Sequence, residues 1–210
     1  MEEFFNGSLN SALIAQAALA AAVAWGSGLR LYLVVLVLGL LGRYGGLELP
    51  DSLHFLTHPL VLGAAGLMSL VEFFADKIPW LDSTWDAMHS FLRIPAGAAL
   101  AASLFPSGGN EAVMAAAALL GGGVTATTHF AKAGARAAIN ASPEPFTNIA
   151  ASFGEEVVLG AGLWTAFHQP LIFIGLLIVF LLIAILLMRW LWRMIRGQSR
   201  PSKDIQATSN

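Results

Sequence analysis

Cysteine is absent from the 210 residues, which excludes disulfides, thiol catalysis and thiolate metal sites and leaves the redox compartment open. Charge is scarce: 11% of residues are Asp, Glu, Lys or Arg, 57% are apolar, and the mean hydropathy is +0.71. Soluble domains carry about a quarter charged residues, so this chain has too little polar surface to cover a water-soluble globule. A net charge of −2 offers no basic excess for nucleic acid. A positive amino end is also missing. Met1-Glu2-Glu3-Phe4-Phe5 is acidic where a secretory signal would be basic, so the first apolar segment is expected to stay in the mature protein.

What the chain has instead is length without polarity. Leu171 to Met188 contains no charge and no strongly polar group, and it is long enough to cross a bilayer. Arg189, Arg193, Arg196, Arg200 and Lys203 follow, which places that end in the cytoplasm by the positive-inside bias. Residues 1–197 are expected to form a single membrane domain, with 198–210 a polar tail. Nearer the amino end, an apolar segment over 9–41 would measure about 50 Å as one helix, so it must tilt or break. Gly26-Ser27-Gly28, just before Arg30, is the expected break, giving a kinked helix or a hairpin. A second span is expected over 55–74.

Between the halves lies a different pattern. Leu81, Trp85, Met88 and Leu92 make one helical stripe, and Asp82, Asp86, His89 and Arg93 make its neighbour. With Trp80 and Trp85 beside it, this predicts a short helix lying in the membrane interface. The alanine-rich 94–105 is too short to span alone, and Pro106-Ser107-Gly108-Gly109-Asn110 is a turn. Gly121-Gly122-Gly123 lacks the lysine of a phosphate loop and reads as close packing or a helix break.

Two motifs recur. Gly28-Leu29-Arg30 parallels Gly134-Ala135-Arg136, and His58-Pro59-Leu60 parallels Gln169-Pro170-Leu171, at offsets of 106 and 111 residues. The expected fold class is therefore all-α: a polytopic membrane protein with broken or re-entrant helices in two pseudo-symmetric repeats, parallel or inverted. Repeat one covers about 9–77, an interfacial linker about 78–110, and repeat two about 111–195.

The chemistry concentrates at two places. His129, Lys132, Arg136 and Asn140 stand three or four residues apart inside an apolar stretch, so they share one helix face before the break at Ser142-Pro143-Glu144-Pro145. Ionisable groups at membrane depth are costly and mark a pathway or a binding site. Ser142 suits the cap of the next helix and Glu144 its positive end. Arg30, Lys132, Arg136, Asn140, Ser142 and Glu144 are thus candidates to bind an anionic group, phosphate or carboxylate. The plainer reading is an internal ion-pair network in which Glu144, or Glu155 and Glu156, neutralises Lys132 and Arg136.

The second cluster is acidic. Glu72, inside an apolar span, and Asp76 one turn later are candidates for proton coupling. Asp82, Asp86 and His89 share a face and would suit a divalent metal ion, or else form a solvated interfacial surface with Lys77 and Arg93.

Ala24-Trp25-Gly26-Ser27-Gly28-Leu29-Arg30, Asp76-Lys77-Ile78-Pro79, Trp85-Asp86 and the stretch KAGARAAINASPEPFTN from Lys132 to Asn148 resemble the bacterial integral-membrane family "domain of unknown function 4126". The resemblance covers roughly Ala12 to Leu191. It implies a small multi-pass inner-membrane protein and transfers no activity.

The leading expectation is a small transporter or flippase with a cationic intramembrane site for a polar or anionic solute or lipid head group. No cofactor is called for, and a second copy of the chain is one conceivable partner. The alternatives are a divalent-cation permease on the acidic cluster, an intramembrane lipid hydrolase with His129 or His89 as base, and a non-catalytic membrane scaffold.

Overall fold

The computed structural model describes residues 2–78, 81–105, 110–140 and 145–198, and every regular element among them is helical. Helix α1 spans Glu2–Tyr44, a 3-10 turn Asp51–Thr57, α2 Pro59–Ala75, α3 Leu81–Ser103, α4 Glu111–Asn140, α5 Pro145–His168 and α6 Pro170–Gln198. Asn10–Tyr44, Glu111–Asn140 and Pro170–Trp190 are long and apolar enough to cross a membrane. The 3-10 turn and α2, bent by 68° to each other, make a fourth crossing if they are counted as one span. The chain has the build of a multi-pass membrane protein.

Helix α1 is the axis. It packs against every other helix, and 67% of its apolar stretch lies inside the protein, against 17% for α6. The residue types explain the contrast. The middle of α1 is Ala18, Ala20, Ala22, Val23, Ala24, Gly26 and Gly28, all small enough to admit neighbouring backbones. Helix α6 carries Leu176, Val179, Leu182, Ile183 and Leu186 outward, a surface suited to lipid.

The expected break in α1 falls at Arg30, whose φ of −148° and ψ of 86° are extended rather than helical. Two local features precede it: Ser27 Oγ donates back to Val23 O at 2.7 Å, which bends helices, and Gly28 permits a very close crossing. A Cβ on Gly28 would lie 2.6 Å from Thr125 O of α4. The carbonyl that the break sets free at Leu29 accepts from Lys132 Nζ at 3.1 Å. Helix α3 joins the same seam. A Cβ on Gly97 would meet Thr125 Oγ1 at 2.1 Å, and one on Gly121 would meet Ala101 Cβ at 2.5 Å. Thr125 Oγ1 lies 2.8 Å from both Ala24 O and Gly121 O, tying α4 to α1. Helix α4 runs unbroken through Gly121-Gly122-Gly123, so those glycines serve packing and not a turn.

Helix α2 is attached differently. It opens at Pro59, with His58 Nδ1 accepting from Leu60 N, and packs chiefly on α1, touching the 3-10 turn and α3 at few points. Its tie to α4 is made by charged side chains, and its tie to α5 by Lys77 and the edge-to-face pair of Phe73 and Phe153.

Two expectations change. The linker does not hold a short interfacial helix followed by an alanine-rich remnant: α3 is a single 23-residue helix that continues through Pro95 and packs along α4. Its polar stripe is turned inward, so Asp82, Asp86, His89 and Arg93 are buried and not solvated. The physical reason is that groups on other helices compensate them: Arg136 faces Asp82, Lys132 faces Asp86 and Glu72 faces Arg93. Gly134-Ala135-Arg136 sits inside the continuous α4, so the break at Arg30 has no counterpart there. Pro59 and Pro170 do open α2 and α6 alike. Ser142, Glu144, Pro79 and the turn 106–109 lie outside the described residues.

Candidate functional site

The two clusters that spacing placed apart form one buried network. Its centre is Asp76, which caps α2 with its N–H bonded to Glu72 O. Arg30 Nη2 from α1 reaches Asp76 Oδ2 at 2.9 Å, Lys132 Nζ from α4 reaches the same oxygen at 3.1 Å, and Arg136 Nη2 approaches it at 4.0 Å. Arg136 Nη1 also donates to the Asp76 carbonyl at 3.0 Å. One carboxylate therefore gathers three cations from two helices. Helix α5 closes the other side: Glu155 accepts from Arg136 Nε at 2.9 Å and lies 3.4 Å from Lys132, Glu156 lies 3.3 Å from Arg30, and Ser152 Oγ accepts from Arg30 at 3.0 Å. Asn148 receives Arg136 through both its side-chain oxygen and its carbonyl.

A second centre is Arg93. It bonds Glu72 from α2 and donates to Asp86 Oδ1 at 2.6 Å, and Lys132 links the centres at 3.8 Å from Asp86. His129 joins here: its Nδ1 lies 3.3 Å from Arg93 Nη1 and its Nε2 2.6 Å from Ser90 Oγ. Because a guanidinium only donates, that contact leaves Nδ1 as the acceptor and puts the neutral ring's proton on Nε2, facing Ser90. Ser90 in turn donates to Asp86 O at 2.9 Å.

At the far end, Asp82 lies 3.9 Å from Arg136 and accepts from Asn140 Nδ2 at 3.3 Å, while Asn140 also reaches Ser83 Oγ at 3.1 Å. Asp82, Asp86 and His89 do not converge. Asp86 faces Arg93, Asp82 faces Arg136, and His89 turns its Nδ1 to Trp85 O at 2.8 Å and stacks on the Trp85 ring at 4.0 Å. No group of three His, Asp or Glu side chains suited to a metal ion occurs among the described residues. A shared helix face was therefore not enough: each carboxylate already has a nearer cation as partner.

Arg30, Arg93, Lys132 and Arg136 are buried, as are Glu72, Asp76, Asp82 and Asp86, so the inner set balances when fully ionised. Lys77, Glu155 and Glu156 form a half-buried rim. The pairing is incomplete at the atomic level. Arg30 Nε, Arg93 Nε and Arg136 Nη2 are buried donors without a hydrogen-bond partner, and Glu72 Oε2, Asp82 Oδ1 and Asp86 Oδ2 are buried acceptors without one. Outside the candidate spans, burial pushes the Asp82 carboxyl above the ordinary carboxylate range, and Arg136 only partly offsets it. Asp86 goes the other way: burial would raise it, but Lys132 and Arg93 together hold it below that range. Burial lowers the Lys77 ammonium against the pull of Glu156.

A family model described as "Domain of unknown function (DUF4126)" matches residues 17–190. The chain belongs to this family. No curated protein matches it, and no solved structure does. The match covers the whole network, from Arg30 through Glu156.

Of the site residues expected from spacing, the structure brings together Arg30, Lys132, Arg136, Asn140, Glu72, Asp76, Asp82 and Asp86. Arg93, read only as a partner on a solvated face, is instead the second centre. Ser90, Asn148 and Ser152 carried no signal in the sequence. Glu155-Glu156, an adjacent acidic pair in an apolar helix, carries one as the expected neutraliser of the cations, and Glu155 does face both Lys132 and Arg136.

Proposed function

We propose that the protein is a small transporter or flippase that takes the anionic part of a solute or lipid head group into the Asp76 centre. The observation that carries this reading is the sharing of one carboxylate by Arg30, Lys132 and Arg136, two of which keep unpartnered buried N–H groups. Asp76 stands where a substrate anion would stand. Carboxylate and phosphate oxygens accept the same charge-assisted hydrogen bonds from arginine, so one can replace the other.

Charge balance supplies the coupling. The inner set has four cations and four carboxylates. Adding an anion to it leaves an uncompensated buried charge, which costs several kcal/mol, on the order of a broken buried pair. Protonation of Glu72 or Asp76 removes that excess, so each negative charge bound is accompanied by about one proton. Glu72 on α2 and Asp76 at its end tie that helix to Arg93 of α3, to Lys132 and Arg136 of α4 and to Arg30 of α1. Their protonation would therefore also loosen α2 from its neighbours and open a route to the site. In the cell we place the protein in the inner membrane with the arginine-rich end of α6 in the cytoplasm.

The substrate is to be sought in a mass-spectrometric inventory of what co-purifies in mild detergent. Once an anionic compound is in hand, binding should vanish in the Arg30→Ala, Arg136→Ala double variant and survive in Arg196→Ala on the exposed end of α6. Proton uptake measured with an indicator dye should accompany binding and disappear in Asp76→Asn. Intact binding in the double variant would sink the proposal.

The Ser90–His129 contact at 2.6 Å keeps a hydrolase as second reading. The proton on Nε2 points the wrong way for a base that must take a proton from serine, which argues against it. Labelling of Ser90 by a fluorophosphonate, absent in Ser90→Ala, would reinstate it.

A further inference from the structure

Lys77, in the turn after α2, holds its ammonium in a cage. Nζ lies 2.9 Å from the Phe73 ring centroid and 4.6 Å from that of Phe153, and the two rings meet edge to face at 5.9 Å. Ser152 Oγ lies 3.3 Å from Nζ, the Phe73 carbonyl 3.2 Å and Glu156 Oε1 3.8 Å. Two aromatic faces, two neutral oxygens and a carboxylate are what an ammonium ion needs, whether or not it is attached to this chain. The cage is open on one side: Phe153 is 49% exposed.

The cage also adjoins the cationic centre. Arg30 Nη2 uses the same two oxygens as Lys77, Ser152 Oγ at 3.0 Å and Glu156 Oε1 at 3.3 Å, and its guanidinium lies 6.0 Å from the Phe73 centroid. Arg30 is buried and its Nε has no partner. An ammonium position and an anion-seeking guanidinium thus sit side by side across a single pair of oxygens. A phosphate joined to a primary amine by two carbons carries one charge for each of these neighbours.

We infer that the Phe73–Phe153 cage, with Ser152 and Glu156, is a binding site for the ammonium of a phosphoethanolamine-type head group, with Lys77 as its tethered occupant until that head group arrives. The inference rests on the reading of the Asp76 centre as an anion site and adds the substrate's other charge. When the amine enters, Lys77 leaves for the exposed side, and the clasp it makes between α2 and α5 is released. The phosphate meets Arg30.

The test uses the full-length protein in mild detergent with an equimolar mixture of phosphatidylethanolamine and phosphatidylglycerol, retained lipid being counted by native mass spectrometry. The wild type should retain the ethanolamine lipid in preference. Phe153→Ala should lower that retention about five-fold, the worth of one exposed cation–π contact, with phosphatidylglycerol unchanged. Lys77→Ala should raise it. No change in Phe153→Ala, equal loss of both lipids, or a fall in Lys77→Ala would overturn the cage. Phosphatidylglycerol retained as well as phosphatidylethanolamine, and lost in Arg30→Ala, would overturn the cage alone and leave the anion site standing. Retention of neither lipid, nor of free phosphoethanolamine, would overturn both. Displacement of the lipid by free phosphoethanolamine would mark a soluble head group as sufficient, and its failure would mark the lipid as the ligand; either result is consistent with the cage.

Discussion

Along the seam between α1, α3 and α4, backbones touch through Gly28, Gly97, Gly121 and Thr125. Where the end of α2 meets α4 and α5, the helices are joined chiefly by charged side chains, Asp76 and Lys77 with Arg30, Lys132, Arg136 and Glu156. The first seam has one arrangement, because small residues in close contact leave no second way to pack. The second depends on protonation state and on any competing ion, since charge–charge contacts act at a distance and can exchange partners. Rigidity and switching are thus built along one buried face of α4, Gly121 and Thr125 in its first part and Lys132 and Arg136 in its second.

The sharpest way to break the comparison is to enlarge the steric seam. Gly97→Val would force a side chain against Thr125 Oγ1, where even a Cβ would lie 2.1 Å away. The expected loss exceeds about 4 kcal/mol, read as absence of monodisperse protein by size-exclusion chromatography. Next comes Asp76→Ala, which leaves three buried cations without their common partner. It should cost about 3–5 kcal/mol in thermal unfolding and yet leave amide protection along the α1–α4 crossing unchanged by hydrogen exchange.

A smaller effect is expected at Asp82. Its carboxyl is raised in the fold, so its contribution to stability is complete below the ordinary carboxylate range and is lost as pH rises through the raised value. Asp82→Asn should flatten that part of the stability–pH curve, and an unchanged slope would contradict the assigned shift. Least of all, Leu182→Ala on the outward face of α6 should change unfolding by no more than about 0.5 kcal/mol. A large loss there would mean that α6 has a protein neighbour where we place lipid.

Particular residues show how much could be read in advance. The last span, the break near Gly26-Ser27-Gly28 and the shared face of Lys132 and Arg136 follow from local rules: run length, glycine content and helical period. The inward-facing role of α1 also has a local sign, its alanines set against the leucines of α6. The acidic stripe of α3 misled because the same spacing serves a wet surface or a buried one. Only partners decide which, and they lie far off in the chain: Arg93 pairs with Glu72, Arg136 with Glu155 and Asn148. The cage at Lys77 was invisible for the same reason, since Phe153 is brought to it from α5.

By itself the chain determined that it is helical and apolar enough for a membrane, where it bends, and which residues are too polar to face lipid. Tertiary structure decided which of those residues meet. Periodicity specifies a face but not its neighbour, and ion pairing between helices depends on contacts that no local pattern encodes.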